Sequence, residues 1–137
     1  NCAYFQKERV VWYGRSMIHL DIKAISINAA YRGRRFATPE LRAYKKELAL
    51  VLPPISAVPD VHVSEHAYRN GKLSAEYVFG VSSKAADVDN LVKAFQDCLA
   101  EQYGFNDRHI YEITVRKVDV KKGKEYIKFR LSEYHPI

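Results

Sequence analysis

The chain of 137 residues, 47% hydrophobic and 28% charged, is long enough for one independent core, too short for two, and of a size that gains burial by self-association. A formal charge of +6 favours a polyanionic partner, although many basic domains bind no nucleic acid. The apolar runs fall far short of the roughly 20 residues of a membrane span, no targeting peptide is evident, and Cys2 and Cys98 make no disulfide framework, so the cytoplasm is the expected compartment.

Met17, the only methionine, stands directly before an alternating strand. The domain is therefore expected to occupy residues 17–137, with residues 1–16 an upstream extension or sequence added for expression. If native, Val10-Val11-Trp12-Tyr13 would supply an extra edge strand or a dimer contact. Ile18, Leu20 and Ile22 alternate with His19, Asp21 and Lys23, the pattern of a half-buried strand. A basic loop over 28–37 follows, holding Tyr31-Arg32-Gly33-Arg34-Arg35. Thr38 then caps a helix with Pro39 at its first position and Glu40 near its positive end, while Leu41, Tyr44, Leu48 and Leu52 form its inner face. Pro53-Pro54 stops it.

Val61-His62-Val63 and Tyr77-Val78-Phe79 flank Asn70-Gly71, a hairpin signal. His62 and His66 share a strand face at a metal-like spacing, but no cysteine or third histidine joins them, which argues against zinc. Val88, Leu91, Val92, Phe95, Cys98, Leu99 and Gln102/Tyr103 recur at the spacing of a buried helical stripe. Asp89 is placed to be the N-cap of that helix, where negative charge complements the dipole, and Gly104 should end it. Ile113-Val115 and Ile127-Phe129-Leu131 then alternate with charged residues and are expected to pair across Lys121-Lys122-Gly123-Lys124. The expected fold is α+β: a small mixed β-sheet with two main helices packed on one face, uninterrupted by repeats, linkers or low-complexity segments.

The segment from 87 to 107 carries the chemistry. Asp87 and Asp89 stand at the start of the helix, Lys93 is one turn in, and Asp107 follows the Gly104 that closes it. Such a group suits a hard divalent cation: Mg²⁺ takes oxygen ligands, keeps several waters, and is usually bound by one or two carboxylates together with a substrate phosphate. The matching substrate is a phosphodiester. Spacing alone leaves a second reading open, because Asp89, Lys93 and Asp97 lie four apart and also describe a solvated ion-pair ladder. Two loops concentrate positive charge where it reaches backbone phosphates at little burial cost. Lys121-Lys122-Gly123-Lys124 reads equally as a plain hairpin turn, and Tyr31 and Phe36 either stack on unpaired bases or anchor their loop.

The whole string Asp87-x-Asp89-Asn90-Leu91-x-Lys93, then Asp97, then Asp107 followed by His109-Ile110, resembles the RusA family of Holliday-junction resolvases. Upstream, Ser26-Ile27-Asn28-Ala29-Ala30-Tyr31-Arg32-Gly33-Arg34-Arg35, with Thr38 and Arg42-Ala43-Tyr44-Lys45, looks like that family's first loop and helix, so the likeness covers roughly residues 18 to 133. It departs from the pattern in three places. The stretch between Asp97 and Asp107 is one residue shorter, Asn106 stands where a second aspartate is frequent, and His109 stands where glutamine is usual.

The resemblance implies an endonuclease that cuts four-way DNA junctions as a homodimer, using three aspartates per subunit with Mg²⁺ (Mn²⁺ as a possible substitute). Asp87, Asp89 and Asp107 match the metal-binding aspartates and Lys93 the lysine beside them. Asp97 is a supporting carboxylate. DNA contacts are expected from Asn28, Tyr31, Arg32, Arg34, Arg35, Asn90, Lys93, Lys121, Lys122 and Lys124. The biological setting would be recombination and repair in a bacterium or phage. Two alternatives stand beside this expectation: a non-catalytic basic nucleic-acid-binding module with a structural acidic cluster, and a metal-dependent nuclease acting on another branched or RNA substrate.

Overall fold

The computed structural model describes residues 10–13, 17–27, 31–32, 36–54 and 71–136. Its elements follow the chain as β1 (Val10–Tyr13), β2 (Met17–Leu20), β3 (Tyr31–Arg32), β4 (Phe36–Ala37), α1 (Pro39–Val51), β5 (Leu73–Val81), α2 (Val88–Tyr103), a 3₁₀ turn (Asp107–His109), β6 (Ile110–Asp119) and β7 (Tyr126–Glu133). The main sheet has the order β1-β2-β7-β5-β6, and β3 pairs with β4 in a separate two-stranded ribbon. β5 and β6 run parallel while every other neighbour in the sheet is antiparallel. The sheet is therefore mixed, as expected, and it includes Val10–Tyr13, which pairs with β2 ahead of Met17.

The core lies on one face of this sheet. The odd residues of β5, namely Leu73, Ala75, Tyr77, Phe79 and Val81, point into it, joined by Ile18 and Leu20 of β2 and by Ile127, Phe129 and Leu131 of β7. α1 contributes Leu41, Tyr44, Leu48 and Val51, and α2 contributes Leu91, Phe95, Cys98, Leu99 and Tyr103, so both helices cover the same face. Phe95 sits edge-on to Tyr77 and Phe79, with ring centroids 5.5 and 6.0 Å away, and 5.7 Å from Phe129, an arrangement that aligns the positive ring edge with the negative face of its neighbour. Gly80 is opposite Tyr126, whose ring covers it so closely that a Cβ there would meet ring carbons at 2.4 Å.

Helix α1 starts and stops as its sequence dictates. Thr38 accepts a hydrogen bond from the Leu41 amide at 3.2 Å, Pro39 occupies the first turn, and Leu52 closes the helix ahead of Pro53. At its far end, the Tyr103 hydroxyl donates to the Pro53 carbonyl at 2.7 Å, tying the C-termini of the two helices together. α2 ends at Gly104 with φ of 74°, a left-handed conformation in which a Cβ would be strained. Cys98 is free and buried, and burial pushes its thiol up to about 11.

Three expectations are corrected. β6 and β7 do not pair across the lysine turn, because β5 lies between them. The turn itself is real, with the Lys124 amide donating to the Lys121 carbonyl at 2.9 Å and Gly123 at φ 91°, but it bridges strands two places apart. The hairpin around Asn70-Gly71 fails for the same reason. Val61-His62-Val63 and His66 lie outside the described residues, yet both edges of Tyr77-Val78-Phe79 are already occupied by β6 and β7. Finally, the N-cap of α2 is Asp87 rather than Asp89, which stands in the first turn. Gln96 and Ala94 also join the buried face while Gln102 is exposed.

Candidate active site

The loop between β5 and α2 is fixed at several points before it presents Asp87. The Val120 amide donates to the Val81 carbonyl at 2.8 Å, the Ser82 hydroxyl donates to Glu125 at 2.5 Å, and the Lys117 ammonium donates to the Ala86 carbonyl at 2.9 Å. Lys117 projects from β6 on the core-side row with Ile113 and Val115, since it is opposite Phe79. A charged residue at a core-facing position needs a partner, and here the partner is the backbone one residue before Asp87. Sequence reading missed it; the signal was a lysine in phase with Ile113 and Val115.

Asp87 holds the N-cap position through its backbone, its carbonyl accepting from the Asn90 and Leu91 amides at 3.1 and 3.2 Å. Its carboxylate makes no capping hydrogen bond, so it remains available to another group. Asp89 is exposed in the first turn and Asn90 beside it is half-buried. A carboxylate in the first turn of a helix is favoured by the positive end of the dipole.

At the other end of the helix, Asn106 caps the 3₁₀ turn by accepting from the Arg108 amide at 3.0 Å. Asn106 thus has a structural use, holding the short turn that carries Asp107. Lys93 ties the helix to that turn. Its ammonium is 3.0 Å from Asp97 and 3.4 Å from Asp107. The hydrogen bond to Asp97, with the charges of Asp97 and Asp107, holds the Lys93 pKa above the usual lysine value against the opposing effect of burial. Below Asp107, the buried Tyr77 hydroxyl donates to Gln96 at 2.6 Å. Burial first, and the charge of Asp107 second, push that phenol well above its ordinary range, so it stays a donor.

The structure therefore brings Lys93, Asp97 and Asp107 together, with Asp89 four residues before Lys93 on the same helix and Asp87 at its N-cap. The lysine pairs with Asp97 and Asp107, a pattern that a simple ladder with Asp89 does not describe. Among the described residues no three His, Cys, Asp or Glu side chains converge as a ready ligand set. Like charges at close range destabilise one another, and here Lys93 supplies the compensation. The available donors nonetheless suit a hard cation: they are carboxylate oxygens, partly solvated, and the Asp87 group is uncommitted. Mg²⁺ retains waters and tolerates few protein ligands.

An open cleft of about 450 Å³, bordered by Lys23, Ser26, Glu40, Ser82, Ala86 and Glu125, lies along the loop that leads into Asp87. Residues 23–26 on its wall precede the basic loop in the chain, and the exposed Lys121, Lys122 and Lys124 precede Glu125 of its border. Asn28, Arg34 and Arg35 lie outside the described residues, and Tyr31 and Arg32 are described as strand β3 only. No helix among the described residues is long and apolar enough to cross a membrane.

The family model described as Endodeoxyribonuclease RusA matches residues 26–130, a span that contains Asp87, Asp89, Lys93, Asp97 and Asp107. No curated protein matches the chain. The chain belongs to the RusA family of endodeoxyribonucleases, whose activity is directed at Holliday junctions.

Proposed function

We propose that this RusA-family protein is a homodimeric, Mg²⁺-dependent endonuclease that resolves four-way DNA junctions by paired phosphodiester hydrolysis in recombination and repair. The observation that carries the reading is the placement of Lys93 against Asp107 at 3.4 Å, on the helix whose first turn holds Asp87 and Asp89. The reading joins that lysine and Asp107 of the following turn with the two aspartates at the helix start into one site.

Asp87, Asp89 and Asp107 are the residues that would hold the metal. When bound, Mg²⁺ supplies charge neutralisation at the scissile phosphate and orientation or activation of a water. Lys93 offers a cation to the phosphate as negative charge develops, and Asp97 fixes its ammonium at 3.0 Å. Lys117 and Asn106 act through position, the first holding the backbone before Asp87 and the second the turn before Asp107. The basic loop over 28–37 and the lysine turn over 121–124 supply phosphate contacts, which make binding steeply salt-dependent without selecting sequence. Two-fold symmetry gives two equivalent sites to two opposed strands, so paired nicks follow from assembly.

Cleavage of a labelled four-way junction beside linear duplex and flap of matching sequence tests the substrate. Symmetric cuts confined to the junction are expected. Equal cutting of all three substrates would replace junction resolution with a general nuclease activity.

A further inference from the structure

β6 is a ten-residue strand whose inner edge pairs with β5, and among the described residues no strand pairs with its outer edge. In a parallel pair each strand turns alternate residues toward its neighbour, so about five residues of β6 direct their backbone donors and acceptors outward. Natural edges of this kind are shortened, interrupted by proline or covered, because they template pairing with another chain. β6 has no proline, carries Ile110, Ile113, Thr114, Val115 and Val118, and leaves Ile113 44% exposed on the core side of the sheet.

We propose that this edge is the subunit interface, formed by β6 of two copies pairing antiparallel about a two-fold axis at Thr114 to make one continuous sheet. The inference rests on the two-fold reading of the preceding section and assigns it a surface. A dyad perpendicular to a sheet maps each face onto itself, so directly opposed residues share parity and the axis passes through a residue. Centred on Thr114, the register sets Glu112 opposite Arg116 of the second copy, Ile113 opposite Val115, and the same contacts again by symmetry. Opposite charges and β-branched pairs at facing positions stabilise strand pairing. Centring on Ile113 or Val115 loses this match, since Glu112 then faces Thr114 or Val118.

The charges are prepared for the role. Ser74 donates to Glu112 at 2.7 Å from the neighbouring strand, which orients the carboxylate on the sheet face opposite the helices, and Arg116 is exposed with no ion pair among the described residues. Asp107 lies three residues before β6, so the pairing would put the two carboxylate sites at opposite ends of the shared strand pair, with the two Ile110 residues roughly 26 Å apart from eight strand steps.

Sedimentation of the full chain tests the interface, with a Cys2→Ser background for cross-linking. Wild type is expected to be a dimer. Arg116→Glu should raise the dimer dissociation constant at least about tenfold by facing carboxylates with carboxylates, and Glu112→Arg/Arg116→Glu should return it close to wild type. Thr114→Cys should form an intersubunit disulfide on mild oxidation, because facing Cα atoms in an antiparallel pair fall within disulfide reach, whereas Leu50→Cys, exposed on α1, should not. A wild-type dimer that is unaffected by Arg116→Glu and does not cross-link through Thr114→Cys overturns the β6 edge while leaving junction cleavage intact. A monomeric wild type overturns both the edge and the two-fold reading. Absence of junction cleavage by a dimeric wild type whose Thr114→Cys variant cross-links would sink the nuclease reading and leave the interface standing.

Discussion

β5 and β6 are parallel neighbours of nearly equal length, yet they live in different environments. Every odd residue of β5 is at most 8% exposed, while β6 has no buried residue and shows its side chains in half-exposed or exposed positions. Alternation alone does not separate them, since Ile113 and Val115 are as regular as Tyr77 and Phe79. Position in the sheet does: β5 is flanked on both edges and covered by Phe95, whereas β6 is flanked once among the described residues. The comparison teaches where stability and chemistry reside. β5 is the scaffold from which the chain reaches Asp87, and β6 is the strand that begins just after Asp107, with one edge unpaired among the described residues.

Substitutions in the two strands should therefore diverge. Phe79→Ala removes a fully buried ring and is expected to cost about 3–5 kcal/mol in denaturant unfolding. A loss below about 1 kcal/mol would contradict the central place of β5. Lys93→Met should reduce junction cleavage by about 10²–10³-fold while shifting stability by no more than about 1 kcal/mol, because its ion pairs are solvated; parallel loss of folding would assign the lysine to structure. Lys117→Met tests the link from β6 to the backbone before Asp87. Removing the donor to Ala86 should cost about 1 kcal/mol and slow cleavage by severalfold with junction affinity kept. Unchanged cleavage would mean that the loop before Asp87 is held by its other contacts. Ile113→Ser, on the half-exposed row, should alter monomer unfolding by about 0.5 kcal/mol or less, so any larger effect that depends on protein concentration reports association.

Much of this was legible in the residues. Thr38, Pro39 and the Leu41, Tyr44 and Leu48 spacing define α1, and the Leu91, Phe95, Cys98 and Leu99 spacing with Gly104 defines α2, because caps and helical periodicity are local. Strand neighbours are not local. The lysine turn suggested a β6–β7 hairpin, but a strand followed by a 16-residue helix and another strand is also the connection that makes parallel neighbours, and that unit places β6 beside β5 while β7 takes the other edge. Within the site, the acidic and basic residue types were readable from Asp87, Asp89, Lys93 and Asp107. The partners were not: Lys117 against Ala86, Tyr77 against Gln96 and Asn106 over its turn depend on which strand lies next to which. Asp87 rather than Asp89 at the cap is a shift of two positions that spacing does not resolve, since both carboxylates suit a helix start.

The central claim is metal-dependent cleavage through Asp87, Asp89 and Asp107, and it is tested most directly by incubating a labelled four-way junction with wild type and Asp89→Asn, each with Mg²⁺ or with EDTA, while measuring junction binding in parallel. Paired symmetric cuts by wild type with Mg²⁺ alone, and an Asp89→Asn variant that binds without cutting, are the predicted results. Undiminished cutting in EDTA, or by Asp89→Asn, would contradict the account.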